Sequence, residues 1–340
     1  MNLDHMQTMK EFSIDHQDSL TEFVGIQFKT DADRTVHMHM KKHCEGLKAK
    51  FPDLNYDKNY STPLEPNSRF EQRVDQATTE EVTLYRSMIG KVLYIALMCR
   101  LDVAYPVSIL SQYMLNPGKQ HMDAIKRVIV YLANTSDYEL EYTPSACDTP
   151  EPLTLMGLVD ASYGGHSESC KSHSGMVMVC QSGIIHWRSM SQKTVTTSSS
   201  HAESKAAFSM AKEMVSLKGL FNEIHEQCST SMNQMKFNHR ANIVLVDNKA
   251  TVDLMLEPKN QEKSRHWLVA YRWVNGLQRQ GMLRYKHVAG ELNVSDLLTK
   301  PVTLATFKTI HNIINDQSWA QIILDHELDQ FGYESMKIMS

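Results

Sequence analysis

Four carboxylates stand where an acid is an odd choice for packing: Asp160, Glu203, Asp247 and Asp296. Two of them end apolar runs. LTLMGLVDASYGG carries a strand-like ladder into Asp160 and then into a glycine turn, and NIVLVD runs in the same way into Asp247. The other two open helical patterns, Glu203 in SSSHAESKAAF and Asp296 in NVSDLLTK. Singly, each has an ordinary explanation. Asp160 can start a turn by hydrogen-bonding the backbone two residues on. Ser200 followed three residues later by Glu203 reads as a capping box, Asp247 suits a helix N-cap, and Asp296 suits a cap or a first-turn acid favoured by the helix dipole. Jointly, two strands that deliver Asp at their ends and two helices that deliver acids at their starts point to one crevice, where open sheets with parallel neighbours gather functional groups. Acids crowded in this way raise one another's pKa, and cations relieve the repulsion. Oxygen-only ligation is the preference of Mg2+, and two such ions about 3.5 to 4 Å apart recur in in-line phosphoryl displacement. The expected cofactor is therefore a pair of Mg2+ ions, for which Mn2+ can substitute, and the expected substrate is a phosphodiester.

The elements that must position these acids follow from periodicity. Around Asp160, the runs SGMVMVCQSG and IIHWRSMSQ add two strands joined at Ser182 and Gly183, which predicts an antiparallel meander of three. A long helix is expected from about Ser200 to Glu226, because Glu203, Ala207, Met210, Met214, Leu217, Phe221 and Ile224 step by four and three along one face. An inward carboxylate on that face needs a compensating partner. Strand NIVLVD, short helix NKATVDLML, a second long helix from about Glu262 to Gln280, strand MLRYKHV and a helix opening at VSDLLTK complete the series. Strands first, then alternating helices and strands, predict an α/β mixed sheet with flanking helices.

Upstream, FVGIQF and VHMHM read as short strands and KKHCEGLKAKF as a helix, with STPLEPNS a proline-punctuated loop. From Glu80 the pattern turns helical, Met122, Ile125, Val128, Ile129 and Leu132 sharing one face. The loop TPSACDTPEP suggests a boundary near residue 150, giving a mainly helical first unit over 1–150, a second unit over 151–302 and a helical tail over 303–340.

Composition sets limits. With 340 residues, 42% apolar and 22% charged, the chain has the make-up of a globular protein. It lacks a run of about eighteen apolar residues and a secretory leader, so no membrane partner is expected. Six cysteines without CxxC pairing fit a reducing, intracellular setting. A net charge of -4 supplies no global pull on nucleic acid, so any such contact must be local. One candidate is the stripe of Arg265, Arg272 and Arg279, spaced by sevens on the second long helix, with Trp267, Tyr271 and Val274 roughly opposite. His37, His39, His43 and Cys44 lack a second ligand pair at zinc spacing. The 21 methionines fall at core spacing.

From Leu153 to about Pro301, the ordered motifs DASYGG, HSG, IIHW, SSSHAE, DNKA and SDLLTKP resemble the ribonuclease H domain of copia-type retrotransposon Pol polyproteins. FVGIQF, STPLEP, YRSMIGKVLYIALMCRLDVAYPVSILSQYM and KRVIVYLANT resemble the thumb and connection region that ends the reverse transcriptase of the same elements. The resemblance implies a ribonuclease H-like five-stranded mixed sheet behind a reverse-transcriptase thumb/connection-like block. It also implies that Asp160, Glu203, Asp247 and Asp296 are the metal-binding, catalytic acids of an endonuclease cutting the RNA strand of RNA:DNA hybrids. The partner would be the palm and fingers region of the same polyprotein, in a cytoplasmic particle or the nucleus, with no small-molecule cofactor. The palm's paired aspartates lie upstream of the matching stretch, so DNA synthesis by this chain alone is not expected. Departures include DASY in place of DADW and His201 where a second acid is usual. A non-catalytic nucleic-acid-binding or connection module is the alternative.

Overall fold

The computed structural model describes residues 20–144, 155–164, 171–180, 183–228 (side chains to 223), 242–256 and 267–315. In the first unit, the two expected strands, β2 (Ile26–Thr30) and β3 (Val36–His39), pair as an antiparallel hairpin. They are flanked by β1 (Glu22–Phe23) and β4 (Glu139–Tyr142) in an antiparallel sheet of order β1-β2-β3-β4. The β4 segment ELEY has little apolar signal of its own. It is recruited by main-chain pairing, with Leu140 opposite Met38. His37, seen from sequence only as a weak zinc ligand, sits between Glu139 at 2.8 Å and Asp31 at 3.0 Å.

Four helices pack on one another to build the rest of this unit: α1 (Lys41–Lys50), α2 (Thr79–Met98), α3 (Ala104–Leu110) and α4 (Lys119–Asn134). Helix α2 starts on a true capping box between Thr78 and Glu81. Pro106 lies in the first turn of α3, where its missing N–H costs nothing. Helix α4 buries Ile125, Val128, Ile129 and Leu132, with Met122 half-buried. Between the helices a buried Arg100 guanidinium grips Asp102 through two hydrogen bonds of 2.9 and 2.8 Å, and the Tyr131 hydroxyl donates to the same carboxylate at 2.7 Å.

The second sheet contains β5 (Leu155–Ser162), β6 (His173–Cys180), β7 (Gly183–Ser191), β8 (Asn242–Val246) and β9 (Leu283–His287), in the order β7-β6-β5-β8-β9. Strands β5, β6 and β7 form the antiparallel meander, whereas β8 pairs parallel with both β5 and β9. This is the mixed five-stranded sheet expected from the sequence. One face is covered by α5 (Ser199–Cys228), α6 (Lys249–Leu256) and α7 (Leu268–Arg279). The face of α5 read from the sequence does pack inward: Ala207, Met210 and Met214 are buried with Val159, Met176 and Val244, and Leu217 and Phe221 pack on the same cluster. The helix expected at VSDLLTK is a short 3-10 turn over Val294–Leu298, and Pro301 separates it from α8 (Leu304–Asn315).

A sheet with parallel strands needs both faces covered, and the first unit covers the other one. Met156, Leu158, Val177, Trp187 and Leu245 share a continuous core with Ile89, Val92, Leu110 and Leu132. Trp187 donates its indole N–H to the Ala96 carbonyl at 2.8 Å, and the Tyr142 hydroxyl donates to the Ile184 carbonyl at 2.8 Å. The boundary expected near residue 150 and most of the tail lie outside the described residues.

Gly175 on β6 pairs in register with Asp160. A Cβ there would stand 2.7 Å from the Ser295 carbonyl oxygen and 2.7 Å from Thr299 Cγ2, so the missing side chain lets the 3-10 turn lie on the sheet beside that acid. Gly175→Ala is expected to destabilise by about 1–3 kcal/mol through overpacking. Gly90→Ala, in α2 with open space around its Cα, is expected to stabilise by about 0.5–1 kcal/mol. Denaturant unfolding of the two variants checks this, and equal effects would contradict the packing account.

Candidate metal centre

The register of the parallel pair brings the first two acids together. Val159 lies opposite Val246, so Asp160 and Asp247 leave neighbouring strands at the same level. Asp296 arrives from the 3-10 turn that Gly175 admits. One oxygen each of Asp160, Asp247 and Asp296 lies within 4.8 Å of the others. Glu203 is outside that oxygen triangle but projects from the first turns of α5 toward it: its carboxyl is buried, its Oε2 has no hydrogen-bond partner among the described residues, and it feels the charge of all three aspartates.

None of the three helix-associated acids serves as a cap, because a neighbour takes that role. Ser198 Oγ accepts the His201 N–H at 3.2 Å, which places Glu203 beyond the capping positions and removes the Ser200–Glu203 capping box. Asn248 Oδ1 accepts the Thr251 N–H at 3.1 Å, so Asn248 rather than Asp247 caps α6. Asn293 caps the 3-10 turn through the Ser295 N–H and donates its amide to the Val159 carbonyl at 3.0 Å, tying that turn to the end of β5. The carboxylates are left free for one another.

That arrangement costs free energy, which the protonation equilibria record. Burial, then the charges of Asp160 and Asp247, push the Glu203 carboxyl up to about 9, with Lys300 opposing. Burial and the Asp160 charge push Asp296 up to about 7. Asp247 is also raised, by burial and then by Asp160, against a hydrogen bond from Asn293. Two further residues that sequence reasoning did not single out complete the centre. The Thr299 hydroxyl donates to Asp160 Oδ2. Lys300 Nζ stands 3.0 Å from Asp296 Oδ1 and 3.7 Å from Asp160 Oδ2. Lysine four residues after an acid is an ion-pair spacing that could have flagged it. A hard divalent cation fits this donor set: all ligands are oxygens, they already lie close together, and their mutual repulsion is what a cation would relieve.

The arginine stripe is partly placed. Arg272 and Arg279 are exposed on α7 while Tyr271 and Val274 are buried behind them and Trp267 packs on the same cluster; Arg265 lies outside the described residues.

No family model matches the chain. Over 290 residues, 84% of its length, it is 27% identical to the retrovirus-related Pol polyprotein from transposon TNT 1-94 of Nicotiana tabacum, of which it spans 20%. Over 131 residues, 38% of its length, it is 36% identical to secreted RxLR effector protein 161 of Plasmopara viticola, covering 89% of that protein. Among solved structures, the N-terminal ribonuclease H domain of rv2228c from Mycobacterium tuberculosis overlaps 48% of this chain and 98% of its own at 15% identity and a TM-score of 0.31. The chain's relatives at 24–27% identity over about 85% of its length are copia-type retrotransposon Pol polyproteins.

The raised acids set a pH dependence. Folded Glu203, at about 9 against 4.5 unperturbed, holds a proton that the unfolded chain has lost. Its contribution is therefore present at low pH and disappears as pH rises from about 4.5 to 9, and Asp296 adds the same sign up to about 7. In chelator, the melting temperature should fall by several degrees between pH 6 and 9, and Glu203→Gln should flatten the fall. Thermal melts across that range check it, and a rising or flat wild-type curve would contradict the account.

Proposed function

We propose that this chain is a divalent-metal-dependent nuclease that cuts the RNA strand of RNA:DNA hybrids during retrotransposon reverse transcription. The observation that carries the reading is the meeting of three aspartate oxygens within 4.8 Å at the ends of two parallel strands, with a buried glutamate aimed at them. In this reading Asp160, Glu203, Asp247 and Asp296 hold Mg2+. When bound, the metal lowers the pKa of a water and balances charge on the phosphate and the leaving 3′ oxygen. The protein's own contribution is positional. The β5–β8 register fixes Asp160 and Asp247, and the Thr299 hydroxyl orients the Asp160 carboxylate. Asn293 fastens the turn that carries Asp296, while Glu203 is held by a helix whose inward face is anchored in the core. RNA would be told from DNA through 2′-hydroxyls in the minor groove. The palm and fingers of the same polyprotein are the proposed partner, inside a particle or the nucleus. No helix among the described residues is long and apolar enough to cross a membrane.

A second reading, a binding module that does not cut, has one observation in its favour. A cavity of about 860 Å³ between α1 and α2 is lined by Lys50, Arg86 and Lys91 together with Lys42, whose ammonium pairs with Glu22 at 2.6 Å. Such a groove suits a polyanion whether or not the acids elsewhere react.

Incubation of the folded protein with labelled hybrid in Mg2+ or Mn2+ separates the two. The nuclease reading predicts RNA cleavage, spared duplex DNA, and a loss on the order of 100- to 1,000-fold in Asp160→Asn or Asp247→Asn, the scale of several kcal/mol of lost charge stabilisation. Binding without cleavage in either metal would favour the second reading. If Arg265, Arg272 and Arg279 track phosphates, replacing all three by Gln should flatten the slope of log K against log salt by about 0.7 to 0.9 for each phosphate no longer neutralised. An unchanged slope would make the stripe a solvated face.

A further inference from the structure

We propose that the Lys300 ammonium competes with divalent cations for the carboxylates of this centre, so that a metal ion enters by exchange with a charge built into the chain. The inference rests on reading Asp160, Asp247 and Asp296 as cation ligands. Lys300 Nζ stands 3.0 Å from Asp296 Oδ1 and 3.7 Å from Asp160 Oδ2, thereby engaging two members of the three-acid cluster. The lysine side chain is 46% exposed, against 17% for Asp296 and 6% for Asp160. It therefore reaches inward from the mouth, and its flexible four-carbon stem can carry the ammonium back to water without disturbing the fold.

The backbone that presents it is fixed on both sides. The Lys300 N–H donates to the Asp296 carbonyl at 3.3 Å, the preceding Thr299 hydroxyl binds Asp160, and Pro301 follows. An ammonium so held is within reach of the acids whenever they are unscreened. One positive charge, however, faces Asp160, Asp296, Asp247 and Glu203 together. A divalent ion offers twice the charge to the same oxygens, and it must first displace the lysine from them. An ordinary surface ion pair would have no bearing on metal affinity. Lys300 would instead keep the acids in place while holding down their affinity for free metal, a positioning role at the mouth of the site.

Calorimetric titration of Mn2+ into the metal-free full chain tests the exchange, with wild type beside Lys300→Met and Lys300→Arg. Lys300→Met is expected to bind Mn2+ about tenfold more tightly, equivalent to about 1.4 kcal/mol, and to melt at a lower temperature than wild type in chelator. Lys300→Arg, which keeps the charge, should stay near wild type in both, and it serves as the folded reference if the Met variant is unstable. Equal or weaker Mn2+ binding by Lys300→Met would overturn the exchange while leaving the metal centre standing. Failure of the wild type to bind Mn2+ at all would overturn the centre and the exchange together.

Discussion

Like-charge repulsion inside a low-dielectric pocket is the constraint on which this structure turns. Burial is the larger cause that raises Glu203, Asp247 and Asp296, and the neighbouring carboxylate charges add to it, because acids that approach within a few ångströms while losing water each disfavour the other's charge. A fold left to relax would separate them. Several features prevent that. The parallel register of β5 and β8 fixes two acids at one level, the absence of a side chain at Gly175 lets a third approach, and the Asn293 amide ties its turn to the sheet. Lys300 and Thr299 then offset part of the repulsion.

The first unit supports this arrangement although it contributes none of the four acids. By covering the second face of the mixed sheet, with Trp187 hydrogen-bonded to the Ala96 carbonyl and Tyr142 to the Ile184 carbonyl, it holds β6 and β7 against the strand that carries Asp160. The buried Arg100–Asp102–Tyr131 network gives that covering layer its own rigid centre. Truncation at the apparent boundary would expose Met156, Leu158 and Val177, so rigidity at the acids and the presence of the upstream helices are linked.

Much of this was legible in the sequence because it lies in local patterns. An apolar run ending in Asp reads directly as a strand delivering a carboxylate, and the spacing of Glu203, Ala207, Met210 and Met214 shows which way the glutamate faces. Competing cap readings could not be settled from spacing, since Ser198, Asn248 and Asn293 are equally good caps and only the backbone shows which oxygen meets which N–H. Long-range pairings were hidden. Strand β4 has no signal of its own until β3 pairs with it, and the approach of Lys300 to Asp160 depends on a turn folded back across the sheet. The closeness of Ser295 to Gly175 is likewise a tertiary fact that a single glycine in a strand can suggest but not specify.

The central claim is that these acids are clustered for a cation and destabilise the protein without one. The most direct measurement is the melting temperature of an Asp160→Asn, Asp247→Asn double variant beside wild type at pH 8, in chelator and across a Mn2+ series. The account predicts that the variant melts higher than wild type in chelator, and that only wild type gains stability as Mn2+ rises. A variant that melts lower in chelator, or that gains as much from Mn2+ as wild type does, would contradict it.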